Sequence, residues 1–135
     1  MKNNLFLQYF ILSMLLFATY SSQAQTLSFC EAVDKDGNAI NESKSFIIGK
    51  NGGYFNILVR LPYELKSYYV NYDIYDINTD GSEHFISTIH QEAQPEWEFF
   101  SREMTFFNEG TFKIYVYDDN DYLLTSSSVK VKKQL

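Results

Sequence analysis

Two histidines, one cysteine, a run of three serines and a tryptophan set between two glutamates are the side chains of this 135-residue chain whose types could do chemistry. His84 and His90 stand six residues apart on one strand-like stretch. At about 3.3 Å per residue they share a face yet lie about 20 Å from each other, too far to ligate one metal ion. No His/Cys/Asp/Glu spacing elsewhere supplies the ligand set of a zinc site, and the two histidines are expected exposed or lining an edge. Ser126, Ser127 and Ser128 lack a Gly-x-Ser-x-Gly elbow, and Cys30 has no Cys-His signature beside it. Glu96 and Glu98 flank Trp97, as a carboxylate pair beside a sugar-stacking ring would. Two residues apart on one strand, they stand on one side of any substrate, whereas acid and base must flank the bond being cut. Trp97 is therefore expected inside, with solvated glutamates around it. These spacings name no catalytic residue, no metal ligand and no cofactor.

Asp34-Lys35-Asp36-Gly37-Asn38 places oxygens at alternate positions around a glycine, as half of a calcium loop does, but no bidentate Glu stands at the required offset. Asp118-Asp119-Asn120-Asp121 is acidic and more compact. Turn chemistry accounts for both, because Asp, Asn and Gly tolerate left-handed backbone and bond their own main chain. What remains is a set of tyrosines, Tyr69, Tyr75, Tyr115 and Tyr117, on faces expected to look outward. If the strands that carry them are neighbours, they form one patch and a candidate binding surface, since tyrosine gives much contact area for little entropy. Cross-strand pairing within the sheet would use the same rings.

The elements that must hold these residues are strands. Nothing after residue 24 sustains a 3.6-residue period, whereas alternation of period two recurs. Residues 54–61 put Phe55, Ile57, Val59 and Leu61 on one face and Asn56 and Arg60 on the other, and Pro62 ends the run. Residues 68–77 align Tyr68, Val70, Tyr72 and Ile74 against Asn71, Asp73 and Tyr75. Asn78-Thr79-Asp80-Gly81 is a turn, and 84–90 returns as the second strand of a hairpin. Residues 97–107 are strand-like with a bend expected near Ser101. Phe112, Ile114 and Val116 face inward, and 123–131 runs back beside them. Short strands over 26–33 and 45–48 bring the total to about seven or eight, the number of a two-sheet antiparallel sandwich.

Residues 1–24 read as a signal peptide: Lys2, an apolar run over 5–18, and Ser22-Gln23-Ala24 before the cut. Residues 25–135 would then form one domain. The apolar run is short and interrupted for a stable membrane span, which needs about 20 apolar residues. Cleavage removes one lysine and no acid, leaving 10 basic against 17 acidic residues, a net charge of −7. Such a domain repels phosphate backbones, so nucleic acid is not an expected partner. Lys130, Lys132 and Lys133, the one dense basic patch, read as a solvated face that discourages edge-to-edge pairing. A lone cysteine forms no intrachain disulfide. Phe29 ahead of Cys30 is bulkier than lipid attachment favours, so Cys30 reads as a half-buried small apolar residue.

Glu109-Gly110-Thr111-Phe112-Lys113-Ile114 resembles the segment that leads into the sixth strand of immunoglobulin domains, and the corresponding one of PKD and fibronectin-like modules. The resemblance implies that Gly110 makes a tight corner, that Phe112 takes the tyrosine-corner position without its hydroxyl, and that Ile114 replaces the core cysteine. With the Cys-Glu at 30–31, the Val-Asp-Lys-Asp-Gly at 33–37 and the terminal hairpin, the chain is similar to small exported immunoglobulin-like proteins of Gram-negative bacteria. That resemblance implies architecture and export, and no assigned activity. The function expected is therefore that of a non-catalytic, periplasmic or extracellular module recognising a protein or glycan through Tyr69, Tyr75, Tyr115 and Tyr117. A structural, self-associating envelope subunit is the alternative.

Overall fold

The computed structural model describes residues 24–135; the expected signal peptide, apart from Ala24, lies outside the described residues. Ten strands follow one another: β1 (Thr26–Cys30), β2 (Ala32–Val33), β3 (Ala39–Ile40), β4 (Ser45–Ile48), β5 (Gly53–Arg60), β6 (Tyr69–Ile77), β7 (Glu83–Glu92), β8 (Phe99–Phe106), β9 (Gly110–Tyr117) and β10 (Leu123–Lys133). They build a three-stranded sheet, β1-β5-β8, and a five-stranded sheet, β4-β10-β9-β6-β7, with β2 and β3 as a small hairpin of their own. The chain forms an all-β immunoglobulin-like sandwich, as expected. The strand total exceeds the expected one because residues 26–33 split between β1 and β2, and because β3 is added.

Period-two alternation explains the core. Phe55, Ile57 and Val59 of β5 face Val70, Tyr72 and Ile74 of β6 and Phe112, Ile114 and Val116 of β9, and all are buried. The rings of Phe46, Phe55 and Phe106 stack at centroid spacings of 4.2 and 4.9 Å, with Phe29 edge-on to Phe55 at 6.0 Å. Phe112 packs on Phe106 at 5.0 Å, so the corner position is held by packing. Tyr72 is fully buried, and its hydroxyl donates to Gln91 Oε1 at 2.5 Å. Burial holds that phenol far above the ordinary tyrosine range.

Five expectations need correction. One pairing is parallel, β4 with β10. β10 therefore lies inside its sheet, and its lysines do not guard an edge. The stretch 97–107 has no bend at Ser101: β8 pairs continuously with β5 from Phe99 opposite Arg60 to Phe106 opposite Gly53. Its parity was obscured because Arg102 takes an inward position between Phe100 and Met104. Tyr68 precedes β6 and is 68% exposed rather than aligned with Val70. Finally, the β6–β7 register slips by one residue, with Ile74 opposite Ser87 and Tyr75 opposite Phe85. The extra residue, Ile86, makes a bulge that reverses the parity of β7. His84 falls opposite Asp76 and His90 opposite Asn71, so the two histidines lie on opposite faces.

Candidate functional site

β6 and β9 are neighbours, with Asn71 opposite Tyr117, Asp73 opposite Tyr115 and Tyr75 opposite Lys113. Tyr69, Tyr75, Tyr115 and Tyr117 therefore share the outer face of the five-stranded sheet, and each is half-buried. Tyr75 and Tyr115 meet edge to face at 5.3 Å, and Phe85 of β7 meets Tyr75 at 5.5 Å. The three rings make a ridge across β7, β6 and β9. The Tyr115 hydroxyl donates to the Glu83 carboxylate at 2.7 Å, and Lys113 Nζ lies 3.5 Å from the same group and 5.0 Å from the Tyr115 ring. The Tyr115 side chain beside it, and then Glu83, hold the Lys113 ammonium above the usual lysine range.

Beside the ridge lies a hollow of about 350 Å³ lined by Asn71, Asp73, Thr88, Tyr117 and Asp121. Thr88 Oγ1 donates to Asp73 Oδ1 at 2.6 Å. Burial, followed by the Asp73 charge, pushes the Tyr117 phenol up. Tyr69 stands at the far end of the face, its ring 4.8 Å from that of His90. His90 Nδ1 is 3.0 Å from Asn71 Oδ1, and Nε2 is 3.3 Å from Glu92 Oε1. The four tyrosines thus share a face in two groups, Tyr75 with Tyr115 and Tyr69 with His90, and Tyr117 borders the hollow between them. The face can offer ring surface, carboxylate and amide groups together, the chemistry of a recognition surface.

The other candidates fall elsewhere. Asp34 Oδ1 accepts the amides of Asn38 and Asp36, both at 2.9 Å, and these bonds, that of Asn38 foremost, hold the carboxyl below the usual range. Asp118 Oδ1 accepts the amides of Asn120 and Tyr122 in the same manner. Both turns thus use their own carboxylates. Glu96 and Glu98 lie in the loop before β8 rather than on a strand, and with Gln91, Trp97, Phe99 and Phe100 they line a hollow of about 430 Å³. Trp97 is half-buried and stacks on Phe100 at 6.4 Å. Among the described residues no three His, Cys, Asp or Glu side chains converge as a metal site, and no helix is long and apolar enough to cross a membrane.

Cys30 is fully rather than half buried at the end of β1, and burial raises its thiol pKa. Iodoacetamide at pH 8 should therefore label the folded chain at least about 100-fold more slowly than a free thiol, reaching full rate once urea unfolds it. Rapid labelling of the folded protein would show that the end of β1 opens locally.

Sequence reasoning missed Phe85 because the bulge hides its parity. It also missed the most exposed rings, Tyr54, Tyr63, Tyr68, Phe107 and Tyr122. Most of these sit at loop and strand ends, where period two says nothing about exposure.

Sheet order and core together define an immunoglobulin-like β-sandwich domain with an aromatic outer face. No protein-family model and no curated protein sequence matches the chain. Among solved structures it is similar to an immunoglobulin-like protein from Pseudomonas aeruginosa, with a TM-score of 0.51 and 14% sequence identity over 83% of this chain and 99% of that one. A superoxide reductase (neelaredoxin) from Ignicoccus hospitalis aligns with a TM-score of 0.45 and 8% identity over 82% of this chain and 81% of that one.

Proposed function

We propose that the chain is a non-catalytic exported module that recognises a protein or glycan through the outer face of its five-stranded sheet. The observation that carries this reading is the Phe85–Tyr75–Tyr115 ridge, with centroid spacings of 5.5 and 5.3 Å, beside the Asn71–Asp73–Thr88–Tyr117 hollow. Rings already held by their neighbours lose little freedom when a partner covers them. The non-catalytic part of the reading rests on the sequence, which sets no nucleophile beside a base and an orienting acid. Export rests on the leader-like residues 1–24.

A partner isolated from an envelope extract on the immobilised chain should be lost when Tyr75 and Tyr115 are both replaced by serine. The thermal midpoint should fall only slightly, since cross-strand pairs contribute about 0.2–1 kcal/mol each. Undiminished capture by that variant would reject the reading. Charge sorting on the same face favours a second reading, a self-associating envelope subunit: Asp73, Glu83 and Glu92 lie on β6 and β7, and Lys130 and Lys132 lie on β10. Light scattering across a concentration series separates the two, because a strict monomer rules out self-association.

A further inference from the structure

Among the described residues β7 ends the five-stranded sheet, with β6 as its one neighbour. A ten-residue strand with a free side turns alternate N–H and C=O groups toward solvent and is a template for another strand. Proteins usually blunt such an edge with lysine, proline or a short strand. The opposite edge follows that rule: β4 has only four residues and is preceded by Lys44. β7 does not, for its sequence EHFISTIHQE contains no Lys, Arg or Pro. The bulge at Ile86 interrupts it once, but Ser87 to Glu92 pairs regularly with β6, so the other side of that stretch is regular too, with its His90 carbonyl held by Arg102.

The space beside this edge is apolar. β7 and β8 are the unpaired edges of the two sheets on one side of the sandwich, and between them opens a hollow of about 280 Å³. Ile74, Ile86, Ile89, Phe106, Phe107 and Phe112 supply its apolar walls. Ile86 is 48% and Phe107 63% exposed. Further along the same side, Arg102 reaches across from β8 and donates to the His90 carbonyl at 3.2 Å. Its buried Nε has no acceptor among the described residues.

Charge selects the occupant. Glu83 and Glu92 stand at the two ends of β7 with no formal charge between them, and the chain as a whole carries −6. Glu92 is the stronger of the two, because its side chain is 86% exposed and meets the His90 ring, while Glu83 already shares both the Lys113 ammonium and the Tyr115 hydroxyl. A second copy fits poorly: two β7 strands paired antiparallel about their centre would set Glu83 against Glu92 at both ends, and like charges across strands repel. We propose that the β7 edge and its groove take up an extended segment of a different protein as a sixth strand, alternately apolar in its middle and basic at its ends. Backbone bonds to β7 would give affinity, side chains in the groove would give register, and the end charges would give selectivity.

The test uses the mature chain and a soluble peptide alternating valine and threonine between terminal lysines. Amide exchange of Ser87 to Glu92 should slow at least tenfold at alternate positions. A peptide ending in glutamates should bind at least tenfold more weakly, and one N-methylated along its bonding edge should not bind. Ile86→Lys, at a position 48% exposed, should weaken the lysine-ended peptide at least tenfold while the thermal midpoint stays near that of the parent chain. The Tyr75→Ser/Tyr115→Ser variant should bind it normally, which separates this edge from the tyrosine face. Equal affinity for both peptides, protection mapped to the tyrosine face, no binding up to the solubility limit of the lysine-ended peptide, or a dimer protected along β7 would each overturn the proposal.

Discussion

Phe55→Ala should lower the unfolding free energy by about 3–5 kcal/mol, the usual cost of removing a buried aromatic ring. Phe55 lies near the start of β5, 2% exposed, stacked between Phe46 and Phe106 with Phe29 edge-on. Truncation therefore opens a void against three rings at once. Those rings come from β1, β4 and β8, which belong to both sheets, so no single strand can shift inward to fill it. For a domain of this size the loss corresponds to a midpoint about 10–20 °C lower in a calorimetric scan. Tyr54, its neighbour in the chain, points outward and is exposed; Tyr54→Ala should change stability by less than about 1 kcal/mol. Near-equal midpoints for the two variants would mean that the aromatic cluster does not hold the sheets together.

The contrast between Phe55 and Tyr54 shows what local pattern can reveal. Alternation along β6 and β9, and along the inner row of β5, sorts buried from exposed residues correctly because each strand has core on one side and a register unbroken along most of its length. It fails where cover comes from a distant segment. Leu58 falls on the outward row of β5 yet is 2% exposed, since the β2–β3 hairpin lies over that face. Phe99 likewise turns outward under Gly37 and Arg60, while Arg102 turns in. An apolar residue outside and a cation inside leave β8 without readable parity. The direction of β4 is equally hidden, because a four-residue strand alternates identically whether its partner runs parallel or antiparallel.

The tyrosine face was readable for the same reason the core was: Tyr75 and Tyr115 alternate with buried neighbours on strands whose adjacency follows from the fold. Phe85 was not, because one inserted residue reverses a strand without leaving a mark in composition. Nor could the sequence distinguish half-buried from exposed tyrosines. Tyr69 and Tyr68 are adjacent, yet the first packs on His90 and the second stands free. That difference is set where β6 begins, and strand ends are poorly defined by periodicity.

Gly37→Val should be the most damaging single change at a turn, costing about 2–4 kcal/mol as overpacking is added to a strained backbone. Gly37 has φ of +79°, and a Cβ there would lie 2.6 Å from Phe99 Cγ. That atom is one bond from the Cβ carried by β8, so the ring cannot slide aside without moving the strand. The Gly37 carbonyl accepts a hydrogen bond from Arg60, whose guanidinium also lies over the Phe99 ring at 5.8 Å. Lifting the turn would break that bond and uncover Leu58. Gly81 provides the control, with φ of +87° and nothing within 4 Å of a would-be Cβ; Gly81→Val keeps the backbone strain and omits the collision. The Gly37 variant should lose more stability than the Gly81 variant in urea titration, and exchange of the Glu31 amide, which donates to Ile40, should quicken only in the former. Equal losses would show that the hairpin rests on the sheet without being held by the stack of Gly37, Phe99 and Arg60.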